Sequence, residues 1–424
     1  MTRSLCSATA LCTVLLACSA ATVPQAGRLT CDSGNGGITL PNGFCAMVVA
    51  DSLGPARHIA VSSDGDLFVA LRNVRDSRGG IVALRDTNGD GRMDVRERFG
   101  DNGGSGIALR GADLFFATDD AVLRYAIPRA GLRPAGAADT VVGQLPTGRS
   151  HTAKTIALRG ADLFVNIGSP TNACQVQDRR LESPGQDPCP DLETRAGIWR
   201  FEAARTRQTQ ADGERWATGI RNAVAITVDP STNTLWAAQH GRDQLVQNWP
   251  AHFDTTESAE LPAEELFRVE RGDDFGWPYC FYDGLAKRKV LAPEYGGDGQ
   301  QVGRCATVKG PVAAMPAHWA PNGVLIYRGS QFPARFQGGA FIAFHGSWNR
   351  APRPQGGYNV VFVPLTGGAA GPYEVFATGF AGDSVQPNGA RHRPVGLALG
   401  PDGSLYISDD RGGRIWRVRW MGSR

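Results

Sequence analysis

Four short stretches set charged or titratable side chains directly against apolar, strand-like runs. They are His151, then Gly219-Ile220-Arg221-Asn222, then Gln239-His240-Gly241-Arg242-Asp243, and finally Arg391-His392-Arg393-Pro394. A neutral imidazole accepts protons near pH 7, and the three arginines Arg221, Arg391 and Arg393 carry planar forks that grip carboxylates. Asn222 can both donate and accept. Brought together, these groups suit a polycarboxylate ligand held beside a proton-abstraction step. Singly, each has a plainer explanation: a loop histidine is more often structural, and an Arg-x-Arg pair is usually a solvated face. What argues for a shared site is that all four flank the same point of a repeated phrase.

A fifth motif is local. Asp86-Thr87-Asn88-Gly89-Asp90-Gly91-Arg92-Met93-Asp94-Val95-Arg96-Glu97 fits the D-x-[DN]-x-[DN]-G-x5-E pattern of a calcium loop. Oxygen donors from Asp86, Asn88, Asp90, Asp94 and Glu97 are expected to hold a structural calcium, without the flanking helices usual for such a loop. The competing explanation is a hairpin turn with solvated carboxylates.

The elements that must position these residues come from the repeat. An alternating apolar run, a tight Asp-Gly or Gly-Ala-Asp turn and a second apolar run recur as HIAVSSDGDLFVAL from His58, GIALRGADLFFAT from Gly106, TIALRGADLFVNIG from Thr155, AITVDPSTNTLWAAQHG from Ala225 and VGLALGPDGSLYISDD from Val395, with a weaker copy from Gly323. Each copy is a hairpin by its period of two, and a lone hairpin cannot bury enough surface to stand alone. Six such units, each completed to about four strands and packed radially, predict an all-β, six-bladed β-propeller. Copies start about 50 residues apart at first and 70 to 100 apart later, so long loops are inserted on one face, where function collects. The strand-like CAMVVAD from Cys45 is expected to close the ring beside IWRVRW from Ile415.

Composition is consistent with this. The 424 residues include 54 glycines and 26 prolines spread along the chain, as many short strands and turns require. The 44 Lys+Arg against 41 Asp+Glu leave a net charge of +3, too small and dispersed for a nucleic-acid footprint. Residues 1–21 read as an export signal, with Arg3 ahead of an apolar stretch from Ala8 to Ala17; Leu15-Leu16-Ala17-Cys18 is similar to a lipobox, which would make Cys18 an acylated anchor and the sole membrane attachment. A linker over 22–37 and one propeller domain over 38–424 would follow. Six cysteines remain beyond the signal, in three sequence-local pairs, and Cys31–Cys45, Cys174–Cys189 and Cys280–Cys305 are the bridges expected in an exported, periplasmic protein. No C-x-x-C-H is present to attach a haem.

The stretches around His151, Gly219-Ile220-Arg221-Asn222, Phe275-Gly276-Trp277-Pro278, Phe344-His345-Gly346-Ser347-Trp348-Asn349-Arg350 and Arg391-His392-Arg393-Pro394-Val395-Gly396 resemble the soluble glucose/sorbosone dehydrogenases over roughly residues 38 to 421. Members of that family use pyrroloquinoline quinone (PQQ) and calcium on a six-bladed propeller. The resemblance implies an oxidoreductase acting on an aldose or sorbosone-like sugar, with His151 taking the hydroxyl proton as hydride moves to the quinone, and a quinone or cytochrome receiving the electrons. It implies that Arg221, which also joins His151 in catalysis, and Asn222 contact the quinone oxygens. Arg391 and Arg393 would hold the cofactor carboxylates, and the backbone carbonyls of Gly241 and Arg242 would ligate calcium. Glu264-Glu265-Leu266 resembles the acidic segment that follows that turn.

Two departures point to the sorbosone-like branch. The cofactor-contacting lysine of the glucose branch is missing, with Arg350 as the candidate substitute cation, and Arg242 stands where a proline is usual. Two other functions remain open on the residues alone: a non-catalytic propeller that binds carbohydrate or protein, and a calcium-dependent lactone hydrolase.

Overall fold

The computed structural model describes Met1 and residues 29–75 and 78–422; apart from Met1, the expected export signal, with Cys18, lies outside the described residues. Six blades form the body, each an antiparallel sheet of four strands, blade 3 gaining a short parallel fifth, and the only α-helices among the described residues are Leu245–Asn248 and Thr255–Glu260. From the channel outward, blade 1 runs Ala56–Val61, Leu67–Leu71, Gly80–Arg85, Val95–Phe99, and blade 2 begins with Gly104–Arg110 and Asp113–Thr118. The inner hairpins of blades 3, 4 and 5 are Ile156–Arg159 with Asp162–Ile167, Ala225–Asp229 with Thr234–Gln239, and Pro321–Ile326 with Ala340–Phe344. Blade 6 pairs Pro394–Leu399 with Leu405–Asp409. The six repeated phrases are thus the six inner hairpins, the weak copy at Gly323 included.

The ring closes as expected. Phe44–Ala50 enters blade 6 as its outermost strand, antiparallel to Ile415–Trp420, with Phe44 opposite Trp420. All three expected disulfides are present, with Cα–Cα distances of 5.9, 6.1 and 5.7 Å for Cys31–Cys45, Cys174–Cys189 and Cys280–Cys305.

Burial differs from the one-sided pattern that alternation suggests. The second strands are buried at every position, as in Leu67–Leu71 and Ala340–Phe344, or at every position but the first, as in Asp113–Thr118, because each blade packs between two others. Leu67, Val69 and Leu71 pack against Ala398, Tyr406 and Ile415 of blade 6, whereas Phe68 and Ala70 pack against Leu114 and Phe116 of blade 2. Period two here sorts residues between neighbours rather than between core and water. The outer strand Val95–Phe99 keeps exposed positions, since one edge faces solvent.

First strands begin, and second strands end, at the same end of the ring. Residues 168–196 of blade 3, 240–263 of blade 4 and 345–358 of blade 5 leave from second strands at that end. Blade 4 carries a further insertion, residues 270–312, that climbs along blade 3: Asp273–Asp274 pairs in parallel with Ala217–Thr218, and the Trp277 indole N–H reaches the Asn172 carbonyl at 2.9 Å.

Candidate functional site

His151 sits in the connection that enters blade 3, with φ 49, a left-handed conformation uncommon for histidine. Its Nδ1 lies 2.7 Å from the Ser169 carbonyl, which can only accept, so Nδ1 carries the proton and Nε2 is left with its lone pair. Close approach makes this possible: a Cβ on Gly168 would lie 2.6 Å from His151 Cβ and 2.7 Å from Asn222 Oδ1. Burial, reinforced by the charge on Arg221, pushes the His151 pKa down to about 3. The ring is therefore a neutral acceptor throughout the ordinary pH range.

His151, Arg221, His240, Gly241, Asp243, Glu264, His318, Trp348 and Asn349 wall one cavity of about 150 Å³. The structure thus brings together residues from three of the four polar stretches. Arg221, only 2% exposed, donates to the Gly241 carbonyl (2.7 Å), to Asn172 Oδ1 (3.1 Å) and to Asp243 Oδ2 (3.1 Å). Burial disfavours the Asp243 charge, yet Arg221 and the cations beyond it outweigh that and hold its carboxyl at about 2. Glu264 accepts the Gly241 and Ala320 amides at 2.8 and 3.0 Å, and its burial still pushes it up to about 8. Asn349 donates to Asp243 Oδ1 at 2.9 Å, while its own Oδ1 is buried without a partner. Trp348 is 58% exposed at this cavity, an unusual degree for so large an apolar ring.

The other predicted residues are placed differently. Arg393 reaches the same blade 5 loop, donating to the carbonyls of His345 and Gly346 at 3.0 and 2.9 Å, with no ion pair among the described residues. Arg391 is exposed and is not a wall of the cavity. Asn222 turns its Oδ1 to Asn166 at 3.3 Å, inside the fold. The side chain of Arg242 leaves the site to form a buried pair with Glu294. Arg350, the candidate for the missing lysine, donates to the Ala317 carbonyl at 2.8 Å and approaches Glu260 at 3.8 Å, so its charge is directed away from the cavity.

Nor does the Asp86–Glu97 loop gather its carboxylates. It joins the third and fourth strands of blade 1, where Asp86 accepts the Gly89 and Gly91 amides, Asn88 accepts Asp90, Asp90 accepts Arg92 and Asp94 accepts Thr87. Glu97 lies on the fourth strand and faces Arg133 at 3.8 Å. Short acidic side chains here satisfy their own turn, which is the competing explanation of the motif.

Several residues that the motifs did not reveal complete the site. Asn172 is fully buried against Arg221 and Asp243. His318 lies 3.7 Å from Asp243, and a second cavity of about 200 Å³ opens between Arg57, Arg72, Ser105, Asp119 and Thr152. Asp410 binds Arg57 and His345 at 2.9 and 2.7 Å, with Arg72 at 3.6 Å. Burial pushes Lys154, bonded only to the Thr152 carbonyl at 2.6 Å, down to about 8. His58 spans the channel mouth from the Ser105 carbonyl to that of Asn322.

A closed ring of six blades with a buried neutral histidine and oxygen donors at one mouth defines a propeller with a polar site there. The profile of the TrAA12-like family matches residues 38–421, and the chain belongs to that family. Among curated relatives it is 26% identical over 242 residues to the pyrroloquinoline quinone-dependent pyranose dehydrogenase of Coprinopsis cinerea, covering 48% of this chain and 31% of that protein. The chain spans less than half the length of the curated relatives it matches. The solved holo form of the Coprinopsis cinerea pyranose dehydrogenase PQQ domain shares the fold, with a TM-score of 0.71 at 20% identity over 90% of this chain and 97% of that one. So does the calcium structure of a Trichoderma reesei family AA12 enzyme, with a TM-score of 0.73 at 19% identity over 93% of this chain and 99% of that one.

Proposed function

We propose that the protein is a PQQ- and calcium-dependent dehydrogenase that oxidises an aldose or sorbosone-like sugar. The observation that carries this is His151 Nε2, unprotonated by virtue of the Ser169 contact, on a cavity also walled by Gly241, Asp243 and Asn349, which bring a carbonyl, a carboxylate and a buried, unpartnered Oδ1. Uncharged and anionic oxygens of this kind are the donors a hard cation such as calcium takes. Arg393, bonded only to carbonyls, keeps charge available for an anionic ligand. The residues therefore fit the cofactor pair: Gly241, Asp243 and Asn349 would hold calcium, and Arg393 a cofactor carboxylate. When bound, calcium-ligated PQQ supplies an acceptor for hydride from the sugar.

The chain's own residues do the rest. His151 takes the hydroxyl proton at Nε2, and Ser169 keeps its ring oriented. Arg221 polarises the Gly241 turn and balances Asp243. Trp348 offers an apolar face at the mouth against which a planar ring or a sugar can stack. Three disulfides suit an oxidising, extracytoplasmic compartment, with a quinone or cytochrome as electron acceptor. The missing lysine and Arg242 favour the sorbosone-like branch.

Titrating apo-protein with PQQ and calcium, followed by absorbance and then by reduction of an artificial acceptor across a panel of aldoses and aldehydes, tests the proposal. Absence of both PQQ binding and turnover refutes it. The same oxygen donors around Asp243 suit a calcium-dependent lactone hydrolase, and chelator-sensitive lactone cleavage without PQQ binding would select that function instead.

A further inference from the structure

Asn172 makes contacts out of proportion to its size. It lies in the blade 3 insertion, five residues beyond the strand Asp162–Ile167, and is 0% exposed. Its amide Nδ2 donates to the Asp243 carbonyl and its Oδ1 accepts the Asp243 amide, both at 2.9 Å, so the side chain pairs with both backbone groups of one residue as a neighbouring strand would. The same Oδ1 accepts Arg221 Nη2 at 3.1 Å, and the Asn172 carbonyl accepts Arg221 Nε at 3.2 Å and the Trp277 indole at 2.9 Å. Its own amide donates to Asp178 Oδ1 at 2.9 Å.

The segment carrying it is anchored. Thr171 donates to Asp191 at 2.6 Å and accepts the Cys174 amide at 3.0 Å, and Cys174 is bridged to Cys189. Three residues before Asn172, Ser169 orients His151 and donates its amide to the Arg221 carbonyl at 2.7 Å. Residues 169–172 thus hold the base at one end and the Gly241–Asp243 turn at the other.

We infer that Asn172 is a positioning residue for cation binding: it fixes the Gly241–Asp243 turn and the Arg221 guanidinium so that the Gly241 carbonyl and Asp243 carboxylate point together into the cavity. The inference builds on the proposed calcium and PQQ site. A turn whose amide and carbonyl are both held cannot trade carbonyl direction for relaxation, and supporting contacts of this kind commonly govern metal affinity by about 10- to 100-fold. Asparagine suits the task because it alone among side chains of its size both donates and accepts in one plane. Aspartate would keep the acceptor but set an oxygen against the Asp243 carbonyl and compete with Asp243 for Arg221.

The test compares the parent, Asn172→Asp and Asn172→Ala as full-length, disulfide-bonded apo-proteins. The readout is the calcium concentration giving half-maximal PQQ uptake, measured by PQQ absorbance, beside thermal melting. The expected result for Asn172→Asp is a rise of tenfold or more in that concentration, with melting within a few degrees of the parent. At saturating calcium its sugar KM returns to the parent value, which a general loosening of the fold would not produce. Parent protein that takes up no PQQ refutes the proposed function; parent protein that does, with Asn172→Asp within twofold of it, overturns the role of Asn172 alone. Failure of both variants to fold also overturns it, since it makes Asn172 a folding residue.

Discussion

Acidification should spare His151 in its proposed role as base. His151 is held at about 3 by burial and by Arg221, some 3.5 units below the ordinary histidine value, which corresponds to about 5 kcal/mol in favour of the neutral ring. The sign follows from the role: a proton acceptor works when unprotonated, so activity is lost only as pH falls through the folded pKa. At pH 5 an ordinary histidine is about 97% protonated, a loss of about 30-fold in the active form, whereas His151 is about 99% neutral. The assay is kcat/KM for a turned-over aldose, with PQQ and calcium saturating and an acceptor whose reduction is insensitive to pH, between pH 4.5 and 7.5. The expected profile has no acid limb from His151 in that range. His151→Ala should retain PQQ binding and lose about 10²- to 10⁴-fold in kcat. A rate falling tenfold per unit below pH 6.5, abolished by that substitution, would refute the argument that burial, with Nδ1 on the Ser169 carbonyl, keeps the ring neutral.

Other perturbations have outcomes that follow from single contacts. Arg393→Ala should weaken PQQ binding by about 1.5–3 kcal/mol, because the guanidinium now held by the His345 and Gly346 carbonyls is the charge available to a cofactor carboxylate; a titration by absorbance measures it. Glu294→Gln should cost about 3 kcal/mol in denaturant unfolding of the apo-protein, since Arg242 Nε and Nη2 already lack partners and would lose their buried counter-ion. Asp86→Ala should lower stability by about 1 kcal/mol through the Gly89 and Gly91 amides, while the calcium-dependent increment in melting temperature stays at the parent value.

The architecture was readable wherever the information is local. Each inner hairpin carries its own alternation and turn, so HIAVSSDGDLFVAL and VGLALGPDGSLYISDD announce themselves as blades, and each disulfide joins cysteines only 14 to 25 residues apart in the chain. The same local view could not decide Asp86–Glu97, because a D-x-N-x-D-G string does not say whether its carboxylates serve a cation or only the amides of their own turn. It also missed the double-sided burial of second strands, which depends on having a blade on either side.

What the sequence by itself determined, then, is the propeller, its count of six, its closure by Phe44–Ala50 and the rim on which His151, Arg221 and Gly241 stand. Only the tertiary structure decided which rim groups share a cavity: it admitted Glu264 from the third strand of blade 4 and His318 and Asn349 from segments flanking the inner strands of blade 5, turned Arg350 toward Glu260, and made Asn172 the clamp on Asp243 across 71 residues of chain. The physical reason is that strands and turns are set by neighbours in sequence, whereas the direction of a buried polar side chain is set by whichever partner the packed ring leaves within hydrogen-bonding reach.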